Sequence, residues 1–137
     1  MIKRLISSGS SFETLAGYSR AVVEGGYVHV SGTTGFDYAK MTIDDDLTVQ
    51  THQAFRNIAS ALSEAGASLE DVVRVRYLIT DRSYFEQVAP LFGQFFGKAR
   101  PAATAMVVGL VDARMKIEIE VTARLPTASG ALGPDDL

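Results

Sequence analysis

Two glutamates, Glu118 and Glu120, stand two residues apart in KIEIEVTA, Lys116 to Ala123. Ile117, Ile119 and Val121 fill the alternate positions. Successive side chains leave opposite faces of a strand, so this spacing puts Glu118, Glu120 and Thr122 on one face and the apolar residues on the other. In VVRVRYLIT, Val72 to Thr80, Arg74, Arg76 and Leu78 share one face, while Val73, Val75 and Tyr77 share the other. Carboxylates can take and return protons, and guanidiniums can grip anions with two prongs. The same residues can also simply pair with one another. Both readings stand for Glu118 and for Arg76, whereas Glu120 reads as a structural ion-pair partner. Unpaired charge next to an apolar layer is costly, so the rest of the chain must solvate or neutralise this face.

The elements that position these residues follow from periodicity. Ile2 to Ile6 is a short strand, and Ser7 to Thr14 reads as a loop. Tyr18 to Glu24 and Tyr27 to Thr33 form a hairpin around Gly25-Gly26. Gly32 inside the second of these strands signals a bulge or a close approach to the backbone. Asp45 or Asp46 caps a helix from Leu47 to Ala65, with Thr51, Phe55, Ile58 and Leu62 at helical spacing. Asp81 is placed as the cap of a second helix, Arg82 to Phe96, whose stripe is Phe85, Val88, Phe92 and Phe95 and whose interior holds Pro90. Ala102 to Leu110 is a further strand, separated from Lys116 to Ala123 by the polar break Val111 to Arg114. One mixed sheet covered on one face by two helices is the simplest packing, an α+β fold. Val28, Val30, Val73, Val75, Ile117 and Ile119 are expected beneath the helices. The other face collects His29, Ser31, Arg74, Arg76, Glu118 and Glu120, and self-association over it would cover the apolar residues there.

Residues 1–126 read as one domain and 127–137 as a flexible tail rich in Ser, Gly, Pro and Asp. A net charge of -3 argues against nucleic acid as a partner, which calls for a clustered basic surface. The absence of cysteine excludes disulfides, thiolate metal sites and cysteine nucleophiles. His29 and His52 do not make a metal-ligand spacing. No apolar run is long enough for a signal peptide or a membrane span, so the expected location is the cytoplasm.

Taken together, several segments resemble the YjgF/RidA (Rid) family. They are AGYSRAV at Ala16 to Val22, VSGTTG at Val30 to Gly35, the helix QTHQAFRNIASALSEAGASLEDVV, FGQFFG, and RPAAT followed by KIEIEV. The resemblance implies a chorismate-mutase-like fold and a homotrimer with clefts between subunits. It also implies hydrolysis of imines or enamines to a 2-oxo acid and ammonia without a cofactor, a water attacking the C=N carbon. On that resemblance Tyr18, Ser31 and Gly32 line the cleft, and Glu118 holds the water or polarises the imine. The family's arginine of the PAR[ST] motif falls on Ala103, and an asparagine of RidA falls on Ala89. Alanine offers a carboxylate nothing, so the resemblance is to an arginine-lacking branch. A non-enzymatic ligand-binding module of the same shape is the alternative. A ribonuclease-like translation inhibitor is disfavoured by the acidic balance.

The remaining candidates carry paired readings. Arg76 replaces the missing guanidinium or bridges to Glu118 or Glu120. Thr104 could donate a hydrogen bond to a neutral substrate. Thr33, in Gly32 to Gly35, lines a cleft turn, because the segment lacks the helix and lysine of a phosphate loop. Arg20, standing where the family has glutamine, is a possible ligand contact. Arg100 is a surface residue or a cleft rim group. His29 reads as an interface residue.

Overall fold

The computed structural model describes residues 2–126, so the expected tail at 127–137 lies outside the described residues. In chain order the elements are β1 (Arg4–Ile6), α1 (Ser11–Ala16), β2 (Ala21–Glu24), β3 (Tyr27–Thr34), β4 (Phe36–Asp37), β5 (Thr42–Ile43), α2 (Leu47–Ala65), β6 (Val72–Ile79), α3 (Tyr84–Phe96), β7 (Ala102–Val107) and β8 (Ile117–Arg124). A short 3-10 turn, Leu69–Asp71, leads into β6. Six strands form one sheet in the order β1-β2-β3-β8-β6-β7, and β4 and β5 make a separate small hairpin. All pairings in the large sheet are antiparallel except β6 with β7, which is parallel. The sheet is therefore mixed, as the α+β reading expects. The strands β7 and β8 do not pair with each other, because β6 lies between them.

Apolar alternation places Val28, Val30, Val75, Tyr77, Ile79, Ile117, Ile119 and Val121 in one core with Phe55, Ile58 and Leu62 of α2 and Val88, Phe92 and Phe96 of α3. Each such side chain taken out of water is worth about 1.5–3 kcal/mol. Aromatic stacking locks the layers: Tyr77 lies 3.7 Å from Phe92, and Phe55 lies 4.1 Å from Phe95, centroid to centroid. Asp46 caps α2 by accepting from the Val49 amide at 3.0 Å. Gln50, fully buried on the first turns of α2, donates to the Asp44 and Arg114 carbonyls and accepts from the Lys116 amide. One side chain thus ties the helix to the loop before it and to the loop that leads into β8.

Several sequence expectations need correction. The stretch expected as a loop at Ser7 to Thr14 contains α1, capped by Ser10, whose hydroxyl accepts from the Phe12 amide. Six residues without a repeated apolar stripe give no periodic signal. The strand expected from Tyr18 begins only at Ala21. Asp81 does not cap α3; its carboxylate is taken by the Ser83 amide and hydroxyl, and the helix starts at Tyr84 with no side-chain cap. The α3 stripe uses Phe96, while Phe85 is largely exposed. Val73 is not under the helices. A register shift between Val72 and Arg74 turns it outward, 46% exposed, and buries Val72 in its place.

Candidate functional site

The centre of interest is a bulge in β3. Val30 pairs with Val121, but the next pairs against β8 are Thr33 with Ile119 and Thr34 with Glu118. Two residues of β3, Ser31 and Gly32, therefore occupy the space of one. The extra residue rotates Thr33 into the buried layer beside Ile119 and leaves Thr34 opposite Glu118. Local hydrogen bonds fix the distortion. The Ser31 hydroxyl donates to the Ser19 carbonyl at 2.6 Å, the Ser31 amide to the Arg20 carbonyl at 2.9 Å, and the Thr33 hydroxyl to the Ser31 carbonyl at 2.7 Å.

Glu118 closes on this bulge. A β-carbon on residue 32 would meet its Cδ at 2.8 Å, so only glycine lets the carboxyl rest there. Ile117 and Ile119 are fully buried, which fixes Glu118 on the face away from the helices. Its carboxyl is half-buried, and no hydrogen bond to it forms among the described residues. Burial pushes it above the ordinary carboxylate value, Glu120 pushes the same way, and Arg20 pulls back. A carboxyl in that state holds its proton more tightly than an ordinary one and is suited to proton transfer.

Tyr18 is a third exposed, with its hydroxyl 3.5 Å from Arg20 Nη2. Burial raises its phenol above the usual value, with Arg20 opposing. Ser31, Gly32, Thr33 and Glu118 thus meet at one bulge, Tyr18 is linked to it through Arg20, and Thr33 is enclosed and faces Arg20.

The arginines of β6 are occupied. Arg76 meets Glu120 at 3.3 Å, its cross-strand partner, and Arg74 Nη2 donates to the Thr104 hydroxyl at 2.7 Å. With His29 and Thr122 they line a polar hollow of about 260 Å³ on the open sheet face. Thr104 is directly across from Arg76 on β7, so the hydroxyl considered for a neutral ligand already accepts from Arg74.

Ala103 lies elsewhere. It pairs with Val75, hence points to the helix side, and lines a groove of about 480 Å³ between β7 and α3. Ala89, the other position singled out, lines the same groove, among Tyr77, Phe85 and Phe92. Arg100, with φ of 47°, sits at its end. Within one chain the candidates therefore divide into a Glu118–Gly32 group, with Tyr18 joined to it through Arg20, and an Ala103–Ala89 groove.

What sequence reasoning missed is the support behind the bulge. Arg20, a possible ligand contact from the sequence, is 2% exposed. Asn57 on α2 donates to the Thr34 carbonyl at 3.0 Å and the Phe36 carbonyl at 2.8 Å, holding the end of β3. Neither role leaves a periodic trace; the only hint was an arginine in an otherwise matching AGYSRAV segment.

Among the described residues no helix is long and apolar enough to cross a membrane. The chain is similar to a Mycobacterium tuberculosis structure described as a member of the YjgF/YER057c/UK114 family, with 42% identity and a TM-score of 0.82, covering 90% of this chain and 100% of the other. It is 31% identical to a RutC family protein of Pyrococcus abyssi, over 90% of this chain and 98% of the relative. It is 28% identical to the human 2-iminobutanoate/2-iminopropanoate deaminase, over 90% of each. The profile of the family described as Endoribonuclease L-PSP matches residues 8–125. With that match over nearly the whole described chain, and with the bulge, the sheet order and the helix pair in place, the chain belongs to the endoribonuclease L-PSP family, also called the YjgF/RidA family.

Proposed function

We propose that this chain is a cofactor-independent hydrolase of C=N bonds in small imine or enamine metabolites, working as a cytoplasmic homotrimer. The observation that carries this reading is the Glu118 carboxyl seated on Gly32, half-buried, with its proton affinity raised by burial. In the proposed step Glu118 accepts a proton from water as the water oxygen bonds to the imine carbon. That proton passes to the nitrogen and gives a carbinolamine; the carboxylate then takes the carbinolamine hydroxyl proton and delivers it to the same nitrogen as the C–N bond breaks, so that a carbonyl compound and ammonia leave. The human relative's name, an iminobutanoate and iminopropanoate deaminase, supports this reaction class.

Two features shape the substrate and the assembly. Ala103 and Ala89 present methyl groups in the groove, so the substrate is one not held by a carboxylate–guanidinium pair at position 103. The Glu118 group and the Ala103 groove lie on opposite faces of one sheet, so a cleft using both needs two copies. A homotrimer with Glu118, Gly32, Ser31 and Tyr18 of one subunit facing Ala103 of the next meets that need.

The test is ammonia release from a panel of imines generated in solution, with and without a carboxylate, using Glu118→Ala as control. Activity equal to the parent in that control removes Glu118 from the mechanism. Sedimentation at equilibrium reads the trimer.

A second reading, a ligand-binding module without turnover, is favoured by the same apolar groove. It predicts a ligand that raises the melting temperature by mass action and is recovered unchanged.

A further inference from the structure

Arg20 is one of the largest fully buried side chains, and among the described residues no carboxylate lies within ion-pairing distance of it. Its Nη1 donates to the Gly32 carbonyl at 2.8 Å and to the Thr33 hydroxyl at 3.0 Å. The Tyr38 ring lies 4.3 Å from Cζ, and Nε is buried with no hydrogen-bond partner. A guanidinium enclosed in this way does not serve stability alone. Burying a cation without a counter-ion costs several kcal/mol, and an apolar side chain of similar volume would relieve that cost. Buried donors left unsatisfied are rare and call for an explanation.

Its neighbours supply one. Arg20 shares a cavity with Gln53 and Asn57 of α2, so it reaches the bulge from the helix side. Glu118 reaches the same residue, Gly32, from the open face. The backbone of the bulge is held between the two. Opposite Glu118 on the flanking strands stand Thr34 and Leu78, neither charged. The charged groups that act on it are Glu120, which is engaged by Arg76 of β6, and Arg20.

We infer that Arg20 is a positioning residue for the Glu118 centre, clamping the β3 bulge through Gly32 and Thr33 and standing as the buried positive charge behind the carboxyl. The inference rests on the reading of Glu118 as the proton carrier, but the coupling itself can be measured without turnover. The electrostatic balance at Glu118 agrees with it, since Arg20 favours the ionised form against burial and Glu120.

The experiment is an NMR titration of the Glu118 side-chain carboxyl, assigned by its loss in Glu118→Gln, in the parent, Arg20→Gln and Arg20→Lys. Removing the charge in Arg20→Gln raises the midpoint by about one pH unit. Arg20→Lys keeps the charge and holds the midpoint near the parent, while losing the fork speeds amide exchange at Ser31 and Thr34. An unmoved midpoint in Arg20→Gln overturns the proposal, as does a lysine variant that shifts as far as the glutamine one. Should Arg20→Gln not fold, Arg20→Lys decides alone: a midpoint displaced from the parent, or exchange left unchanged, overturns it. If no imine is hydrolysed by the parent, the proposed reaction fails while the titration still decides the role of Arg20. Where turnover is found, the acid limb of its pH profile moves with the titration midpoint.

Discussion

The carboxyl of Glu118 occupies the space that a side chain on Gly32 would need: a β-carbon there would lie 2.8 Å from Cδ and 2.9 Å from Oε2. Both colliding atoms sit at the far end of a flexible side chain. Gly32→Ala is therefore expected to cost only about 1 kcal/mol in urea unfolding, because the carboxyl can swing aside. The same swing moves the proton carrier by an ångström or more, and imine hydrolysis is expected to fall about 100-fold. Comparable losses in both assays would show that the glycine serves packing only.

Gly35 is the contrasting case. A β-carbon there would meet Gln50 Cα at 2.5 Å and its carbonyl oxygen at 2.7 Å, which are backbone atoms of α2. They cannot yield without moving the helix. Gly35→Ala is expected to lose about 4 kcal/mol, read as a shift of the urea midpoint, or to prevent folding.

Glu118 also makes stability depend on pH. Its folded-state affinity for protons is raised above the ordinary value of 4.5, with burial the main cause. A carboxyl of that kind stabilises the fold while protonated, and the contribution is lost as pH rises from the ordinary value through the raised one. Glu118→Gln, neutral at every pH, is expected to melt higher than the parent at pH 7. The difference should close below about pH 4, where the parent is protonated in both states. Melting curves across that range check the sign.

Gln50→Leu tests the polar tie between α2, the loop before it and the loop that leads into β8. The substitution keeps volume but leaves the Asp44 and Arg114 carbonyls and the Lys116 amide without their partner. A loss of about 3 kcal/mol is expected in denaturant unfolding.

Ala103→Arg asks whether the groove can be returned to carboxylate chemistry. Ala103 is exposed at the edge of the sheet, so a longer side chain fits without displacing the core. The variant is expected to improve hydrolysis of carboxylate-bearing imines about tenfold or more relative to uncharged ones. An unchanged preference would mean that position 103 does not face the substrate.

The sheet and its two helices could be read from alternation because one face of each element is buried. KIEIEV and the α2 stripe keep their period from end to end, and the structure follows them. The pattern misled where the backbone breaks its own period. The register shift before Arg74 exchanged Val73 for Val72, and no residue type announces it. Gly32 did announce a bulge, and there the reading held. Asp81 was plausible as a cap by type, but Ser83 competes for the same carboxylate. The Arg20 clamp was illegible for a different reason: it joins residues 20, 32 and 33 through a carbonyl and a hydroxyl, and local sequence carries no record of such a contact. The separation of Ala103 from Glu118 depends on the register of β7 on β6, which pairs Ala103 with buried Val75, and alternation within one strand cannot express a register between two.

The last strand of the described residues lies in the middle of the sheet. β8 ends at Arg124 and zips together β3 on one side and β6 on the other. Without β8 the strands can pair only as two separate sheets, one of β1 to β3 and one of β6 with β7, bridged by α2 and α3 alone. Closing the sheet awaits emergence of the final tenth of the described chain, so nascent chains released early would display raw strand edges to chaperones and to each other.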